Sequence, residues 1–175
     1  MSKQFSDLGI STALAQSLTE LNLVVPTAIQ EQVIPVLLAN QTDLVGLAKT
    51  GTGKTAAFGL PLIQLVDSSK SHVQAVILVP TRELGQQVFK NLEAFAQNLP
   101  AVSIAAVCGG IPIKPQIERL SNPTHIVVAT PGRLIDLLQR KAISLKETQF
   151  LVLDEADEMV SILKESLDEI VAELP

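Results

Sequence analysis

Residues 43–55 read DLVGLAKTGTGKT, and this stretch decides which fold the sequence predicts. Its first part, 43–48, is a short apolar run without strict alternation, which is typical of a parallel strand covered on both faces. A loop with two glycines then leads into a helix-like segment at 54–68. A strand, a loop and a helix in this order form the unit from which α/β domains are built.

The same unit recurs along the rest of the chain. Further strand candidates lie at 74–79, 102–107, 125–130 and 150–155. Further helix-like segments lie at 81–98, 112–121, 131–141 and 160–174, and two more, at 11–22 and 27–39, precede the first strand, with Pro26 well placed for the start of the second. We therefore predict an α/β fold in which a parallel sheet has helices on both faces and two extra N-terminal helices.

Composition excludes several classes of protein. The 175 residues suit one domain with a substantial core, and no apolar run approaches the roughly 18 residues of a membrane span. Cys108 is the only cysteine, so no internal disulfide forms, and the first residues lack the apolar centre of a secretory signal. We expect a cytoplasmic protein without a membrane partner, with the nucleus as the alternative compartment.

The charge is unevenly distributed. The net charge is −5; residues 146–175 contain nine acids and two lysines, a balance of −7, so the remaining residues have nine acids and eleven bases, a balance of +2. This excludes a basic nucleic-acid coat. Contacts with phosphates must come from a few well-placed groups.

Unusual residues follow every predicted strand. In chain order, the five strands are followed by AKTGTGKT, PTREL, CGG, TPGR and DEAD. The carboxyl ends of parallel strands meet at one edge of a sheet, and ligands bind beyond that edge. We therefore expect these five loops to form one ligand site.

The loop at 48–55 has the pattern of a phosphate-binding loop. Gly51 and Gly53 let successive backbone N–H groups turn toward a phosphate, Lys54 reaches the β- and γ-phosphates, and Thr55 offers a hydroxyl to Mg²⁺. Ala48 replaces the first glycine of the general pattern. The predicted nucleotide-binding residues of this loop are Ala48, Lys49, Thr50, Gly51, Thr52, Gly53, Lys54 and Thr55.

The acids that follow the last strand complete this prediction. Asp154 lies where a Walker-B acid would hold Mg²⁺, directly or through water, and Glu155 is placed to orient or deprotonate an attacking water. Asp157 is interpreted as a link to a neighbouring loop. The alternative is a charged turn whose acids favour a helix N-terminus. Lys54, Asp154 and Glu155 are thus the predicted catalytic residues.

Taken together, the sequence resembles the DEAD-box ATP-dependent RNA helicases, and specifically their first RecA-like domain. PTAIQ, AKTGTGKT, PTREL, GG, TPGR and DEAD occur in the order of that family, and the resemblance covers essentially the whole chain. It implies a RecA-like P-loop fold, ATP and Mg²⁺ as cofactors, and RNA bound between this domain and a second RecA-like domain.

The resemblance also implies an adenine-recognition segment at 1–40, ahead of a P-loop core at 41–175. Gln30 corresponds to the glutamine that reads adenine, since its amide offers one donor and one acceptor for N6 and N7. Thr27 belongs to the same motif and is also a candidate helix N-cap, while Phe5 is either the upstream aromatic that supports this loop or an ordinary core residue. Asn22-Leu23 departs from the usual Gly-aromatic pair; Leu23 can still pack on adenine.

Three loops correspond to the family's contacts with the RNA backbone. Arg82 and Arg133 can form forked hydrogen bonds to phosphate oxygens, and glycines permit close approach of the RNA backbone. The residues implied are Pro80, Thr81, Arg82, Gly109, Gly110, Thr130, Gly132 and Arg133. Contacts of this kind carry little sequence specificity.

Three departures from the family pattern stand out. Gly85 replaces the usual Ala after PTREL, and the residues after DEADEM lack the usual Gly-Phe pair. The sequence also stops before the family's Ser-Ala-Thr motif, and a second RecA-like domain with its arginine fingers is absent. We therefore interpret the chain as a piece of a longer helicase that binds nucleotide, hydrolyses it hardly at all, and binds RNA weakly.

The function predicted is that of an ATP-dependent RNA helicase, which separates RNA strands locally as it hydrolyses ATP. Two alternatives remain open at this point: a nucleotide-gated clamp that holds RNA without unwinding it, and a P-loop DNA translocase.

Overall fold

The computed structural model describes residues 3–40, 42–49 and 51–175. Its helices are a 3₁₀ helix at Phe5–Leu8 and then α1 (Thr12–Glu20), α2 (Ala28–Asn40), α3 (Lys54–Leu65), α4 (Arg82–Phe95), α5 (Lys114–Leu120), α6 (Pro131–Gln139), α7 (Ala156–Ile162) and α8 (Lys164–Val171). Its strands are β1 (Ala75–Leu78), β2 (Ile104–Val107), β3 (Ile126–Ala129) and β4 (Phe150–Leu153). No helix in the described part is both long and apolar enough to cross a membrane.

The four strands form one parallel sheet in the order β2-β3-β1-β4. In the register of β1, Ala75 lies opposite Ile126 on one side and Phe150 on the other. Every residue of β1 and β3 is buried, so both faces of the sheet are covered there. The predicted parallel α/β fold and four of its five strands are confirmed.

The remaining predicted strand, the first along the chain at 43–48, is wrong. The backbone over 42–49 forms neither strand nor helix, and Val45 and Leu47 are 89% and 91% exposed. A strand exists only where its N–H and C=O groups pair with a neighbour. In the described part of the chain, the parallel pairs are β1 with β3, β1 with β4 and β2 with β3, and none of them includes a residue of 43–48.

The last predicted helix, at 160–174, is also corrected. Helix α7 starts earlier, at Ala156, and the chain leaves helical geometry at Leu163 before α8 begins. Leu163 closes α7 by donating its N–H to the Met159 carbonyl and starts α8 by accepting from the N–H of Leu167. Met159 and Leu167 belong to the apolar core and the half-buried Leu163 packs against it, so both helices stay against the sheet across the break.

The described residues fall into two compact units. The first contains 3–65 and 90–100, and α2 packs against α3 within it. In this unit Gln64 of α3 holds the chain before α1, since its Oε1 accepts from the Ser11 N–H (2.8 Å) and its Nε2 donates to the Gly9 carbonyl (2.9 Å).

The second unit contains 66–89 and 101–175, and therefore the whole sheet. One face of the sheet packs against the last four helices of the chain, α5 to α8. The fully buried members of this cluster include Val76, Leu78, Val127, Ala129, Leu134, Leu137, Met159 and Ile170. This core positions the loops that follow the strands.

Candidate nucleotide and nucleic-acid sites

The predicted phosphate-binding loop belongs to the first unit and leads directly into α3. Gly51 and Gly53 have φ values of 79° and 89°, the left-handed conformation that side chains disfavour. The Gly53 carbonyl accepts from the Ala57 N–H, which makes Gly53 the residue before the helix, and the Thr52 hydroxyl donates to the Lys49 carbonyl (2.7 Å). Thr50 lies outside the described residues.

Gln30 connects the adenine-recognition segment to this loop. Its Oε1 accepts from the Thr27 N–H (2.9 Å), and its Nε2 donates to the Gly53 carbonyl (3.0 Å). Thr27 accepts the first helical hydrogen bond of α2, from Glu31, so it is the N-cap residue and Gln30 completes that cap from the third helical position. At 6% exposure, Gln30 uses both ends of its amide inside the protein.

Gly53 is favoured by its positive φ value, and the Gln30 amide lies against it. A Cβ atom on Gly53 would overlap Nε2 of Gln30 and approach the Thr27 hydroxyl to 3.3 Å. A larger residue would therefore displace the Gln30 amide from the loop. The sequence pattern predicted the glycine from phosphate binding; its packing against Gln30 was missed, because no local signal marks it.

A cavity of about 430 Å³ lies beside the same loop, within the size range of ligand pockets. Its lining residues are Thr27, Ala28, Ile29, Gln32, Leu47, Ala48, Lys49 and Thr52. It thus joins the start of α2 to the phosphate-binding loop in one concave surface. Gln32 was not predicted to be part of it.

Phe5 and Leu23, the two other residues assigned to the adenine segment, differ in exposure. Phe5 is buried in the 3₁₀ helix, as expected of a core residue, and Leu23 is 43% exposed.

The departure of Asn22 from the usual glycine has a local explanation. Asn22 has a φ of 59° after α1, and the Leu23 N–H reaches back to the Leu18 carbonyl (2.8 Å), the hydrogen bond of a Schellman helix end. Asn tolerates the left-handed conformation better than most residues, so it can replace Gly there.

The acidic residues follow β4 in the second unit. Asp154 extends the strand pairing by donating its N–H to the Leu78 carbonyl (3.0 Å), and it is 8% exposed. Glu155, immediately before α7, has a φ of 53°, a strained conformation for a non-glycine residue, and its N–H donates to Oδ1 of Asp154 (3.2 Å). Backbone strain of this kind is concentrated at functional sites. Asp157 is exposed in the first turn of α7.

The chemistry of these residues suits Mg²⁺. Among the described residues, no three His, Cys, Asp or Glu side chains lie close enough to form a metal centre by themselves. Magnesium is usually held by one or two carboxylates together with substrate phosphates and water, so a buried carboxylate such as Asp154 is a suitable donor. Lys54 and Thr55 belong to the first unit and Asp154 and Glu155 to the second, and their common role stays a prediction.

The three predicted RNA-contacting loops, in contrast, are joined within the second unit. The Gly109 N–H donates to the Thr130 hydroxyl (3.0 Å). Arg133 donates to the Ile111 carbonyl (3.0 Å), and Arg82 makes a longer contact with the Gly110 carbonyl (3.4 Å). The loop after β2 is thus held by side chains from the loops after β1 and β3.

Two arginines therefore lie on one loop surface. Arg82 is exposed and also pairs with Glu83, whose carboxylate lies 3.0 Å from the guanidinium. The pKa of the Glu83 carboxyl is lowered, first by a hydrogen bond from its own backbone N–H and second by the Arg82 guanidinium. Pro80 is half-buried and Thr81 is exposed; the Thr81 hydroxyl accepts from the Leu84 N–H (3.2 Å) at the start of α4.

Gly132 and Gly85 occupy opposite environments in the first turns of α6 and α4. A Cβ added to Gly132 would meet no atom within 4 Å, so the fold itself does not require glycine there. A Cβ on Gly85 would lie 2.6 Å from Sγ of Cys108 and 3.2 Å from Val79. The unusual Gly85 is thus explained by the buried Cys108, and burial raises the pKa of that thiol.

The sequence belongs to a known family by comparison as well as by motif. The sequence model of the family described as DEAD/DEAH box helicase matches residues 27–175. The chain is 41% identical over 173 residues to the DEAD-box ATP-dependent RNA helicase CshA of Streptococcus pneumoniae, a match covering 98% of this chain and 33% of that protein. It is 45% identical over 162 residues to the RNA helicase CrhR of Synechocystis, a match covering 93% of this chain and 32% of that protein.

Solved structures show the same likeness. A DEAD box protein from the hyperthermophile Methanococcus jannaschii has a TM-score of 0.91 and 37% identity over 98% of this chain and 47% of its own. S. cerevisiae Dbp5 bound to RNA and ADP BeF3 has a TM-score of 0.90 and 28% identity, over 99% of this chain and 44% of its own. The chain spans about a third of the length of the curated relatives it matches. Since the family model and these relatives cover nearly all of the sequence, the chain belongs to the DEAD/DEAH box helicase family.

Proposed function

We propose that this chain is the part of an ATP-dependent RNA helicase that binds ATP and contacts RNA. The observation that carries the proposal is the linkage of the phosphate-binding loop to α2: Gln30 bonds to Gly53 beside a cavity of about 430 Å³. It brings the residues expected at the adenine and at the phosphates together in one unit. The names of the relatives support the RNA part of the proposal.

Each residue of the nucleotide site has a distinct role in this proposal. Backbone N–H groups of the loop at 51–54 bind phosphate oxygens, and Lys54 adds a positive charge at the β- and γ-phosphates. Thr55 and Asp154 would hold Mg²⁺, which offsets the negative charge of the phosphates. Gln30 reads adenine once its amide leaves Thr27 and Gly53.

Glu155 has the role of orienting the attacking water and accepting its proton. Its backbone has a strained φ of 53° immediately before α7. Efficient hydrolysis also needs an arginine finger, typically worth about 10³–10⁵ in rate, which we assign to a second RecA-like domain. Brisk RNA-stimulated ATP hydrolysis by residues 1–175 alone would contradict this division of labour.

The RNA interface in the proposal is the surface formed by the loops after β1, β2 and β3. Arg82 and Arg133 bind phosphates there, and Gly132 allows close approach of the RNA backbone. RNA displaces Glu83 from Arg82. The proposed setting is the cytoplasm, where the lone Cys108 stays reduced.

The nucleotide site is tested by titrating the chain with ATP and Mg²⁺ in a calorimeter. Lys54→Ala is expected to weaken binding about tenfold to a hundredfold, the loss of a charge-assisted hydrogen bond. Lys90→Ala, on the exposed side of α4, is the matched control and leaves affinity unchanged. Equal affinities for wild type and Lys54→Ala would remove the proposed phosphate site.

The RNA interface is tested by the salt dependence of binding to single-stranded RNA. Two or three phosphate contacts give a slope of about −0.7 each, and Arg133→Ala removes about one such contact. Arg140→Ala is the control, because Arg140 lies at the C-terminal end of α6, away from the loop after β3. A single-stranded DNA competitor that binds as tightly as RNA would favour the translocase alternative, and duplex RNA bound without strand release by the whole helicase would favour the clamp.

A further inference from the structure

The peptide unit between Cys108 and Gly109 is held at both of its polar ends. Its carbonyl oxygen, on Cys108, accepts from Nε2 of Gln116 (3.1 Å), and its N–H, on Gly109, donates to the Thr130 hydroxyl (3.0 Å). A peptide unit is planar, so hydrogen bonds to both ends prevent it from rotating. The direction in which the chain leaves toward Gly110 is therefore fixed from α5 and from the loop after β3.

Gln116 holds this peptide unit at a cost in stability. It is 5% exposed on α5, and among the described residues its Oε1 and Nη1 of Arg133 are the two buried side-chain atoms without a hydrogen-bond partner. A buried acceptor without a partner destabilises a fold, but an apolar side chain at this position would leave the Cys108 carbonyl without this donor. Gln116 thus fixes the orientation of the Cys108 carbonyl while its own Oε1 has no partner.

We propose that Gln116 is a positioning residue for RNA binding, acting through the turn at Gly109–Gly110. By holding the Cys108 carbonyl, it sets the plane of the peptide before Gly109 and so the approach of the two glycines to an RNA phosphate. The inference rests on the proposed RNA interface. It adds to that interface a residue from α5, a helix to which none of the predicted RNA-contacting residues belongs.

Gln74 offers a matched control in the same unit. It is as deeply buried as Gln116, and its amide also holds a loop residue: Oε1 accepts from the Asp67 N–H (2.8 Å), and Nε2 donates to the Asp67 carbonyl (2.9 Å). Its partner residue belongs to none of the RNA-contacting loops. Gln74→Met removes two part-buried hydrogen bonds and Gln116→Met removes one buried hydrogen bond, but only Gln116→Met frees the turn at Gly109–Gly110.

The experiment follows the amide signals of Gly109 and Gly110 by NMR while a short single-stranded oligouridine is added to the chain. Gln116→Met is expected to raise the dissociation constant about fivefold, the equivalent of one lost hydrogen bond. Gln74→Met leaves it within about twofold while lowering the melting temperature at least as much, because both of its amide hydrogen bonds are lost. Affinity for ATP is unchanged in both variants.

A second variant keeps the test decisive if Gln116→Met folds poorly. In Gln116→Glu, a protonated carboxyl can donate to the Cys108 carbonyl, whereas a carboxylate repels it. The ratio of its RNA affinity to that of wild type should therefore rise as the pH falls from about 8 to about 5.

The outcomes separate the two proposals. If RNA shifts the Gly109 and Gly110 signals of wild type and Gln116→Met binds RNA as tightly, the positioning role is wrong and the RNA interface stands. If the ratio of RNA affinities between Gln116→Glu and wild type does not change with pH, the positioning role is likewise wrong. If RNA leaves both glycine signals of wild type unmoved, the interface itself is wrong, and the role of Gln116 with it.

Discussion

Residues 43–48 and residues 74–79 are both short apolar runs followed by a loop and a helix, yet their surroundings differ completely. The residues of β1, in the second run, are fully buried and pair with β3 on one side and β4 on the other. The first run has no strand conformation, and Val45 and Leu47 are almost fully exposed. Hydrophobicity supplies the tendency to be buried, but the neighbouring strand decides whether a run joins a sheet.

The same lesson applies to single residues. Gly85 and Gly132 occur early in helices that follow parallel strands, but one meets a buried thiol and the other meets no atom. Asn22 and Lys141 have nearly the same backbone conformation at the ends of two helices. For the two glycines the surroundings should determine the effect of a substitution, whereas at the two helix ends, which share a conformation, the residue type should determine it.

The largest difference is expected between the two apolar runs. Ile77→Ala, in the centre of β1, should lower the free energy of unfolding by about 2–5 kcal/mol, since it leaves a cavity in a close-packed core. Val45→Ala removes an exposed side chain and should change it by less than about 0.5 kcal/mol. Chemical denaturation measures both. A loss of stability in Val45→Ala similar to that in Ile77→Ala would mean that 43–48 is buried in solution.

The second difference concerns Gly85 and its thiol neighbour. Gly85→Ala forces a methyl group against Sγ of Cys108, an overpacking that typically costs about 1–3 kcal/mol. The double variant with Cys108→Ala should cost less than the sum of the two single changes, because the smaller side chain makes room for the methyl group. Additive costs in this double-mutant cycle would show that the glycine is present for another reason.

Gly132→Ala tests the opposite environment. Because nothing in the fold opposes a Cβ there and glycine is a poor helix former, the change should raise the free energy of unfolding by about 0.5–1 kcal/mol. The added methyl group should at the same time weaken binding of single-stranded RNA, since we assign the open space to the RNA backbone. Unchanged RNA affinity in the more stable variant would remove Gly132 from the interface.

The parts of the molecule that could be predicted are those that sequence neighbours determine. Four strands, and the glycines of the loop before α3, follow from runs and spacings of a few residues. The position of 43–48 could not be predicted, because strand pairing is a property of distant segments. The same holds for Gln30 and Gln116: a single glutamine on a helix carries no sign of the carbonyl it binds, here 23 and 8 positions away.

The smallest difference is expected between two helix ends of the same geometry. After α1 and after α6 the chain forms a Schellman motif, with Asn22 and Lys141 in the left-handed position. A lysine side chain does nothing to relieve the strain of the left-handed conformation, whereas asparagine tolerates it. Lys141→Gly should therefore raise the free energy of unfolding by about 1 kcal/mol and Asn22→Gly by only a few tenths. Equal gains, measured by thermal denaturation of the two variants, would mean that the asparagine side chain offers no relief of backbone strain.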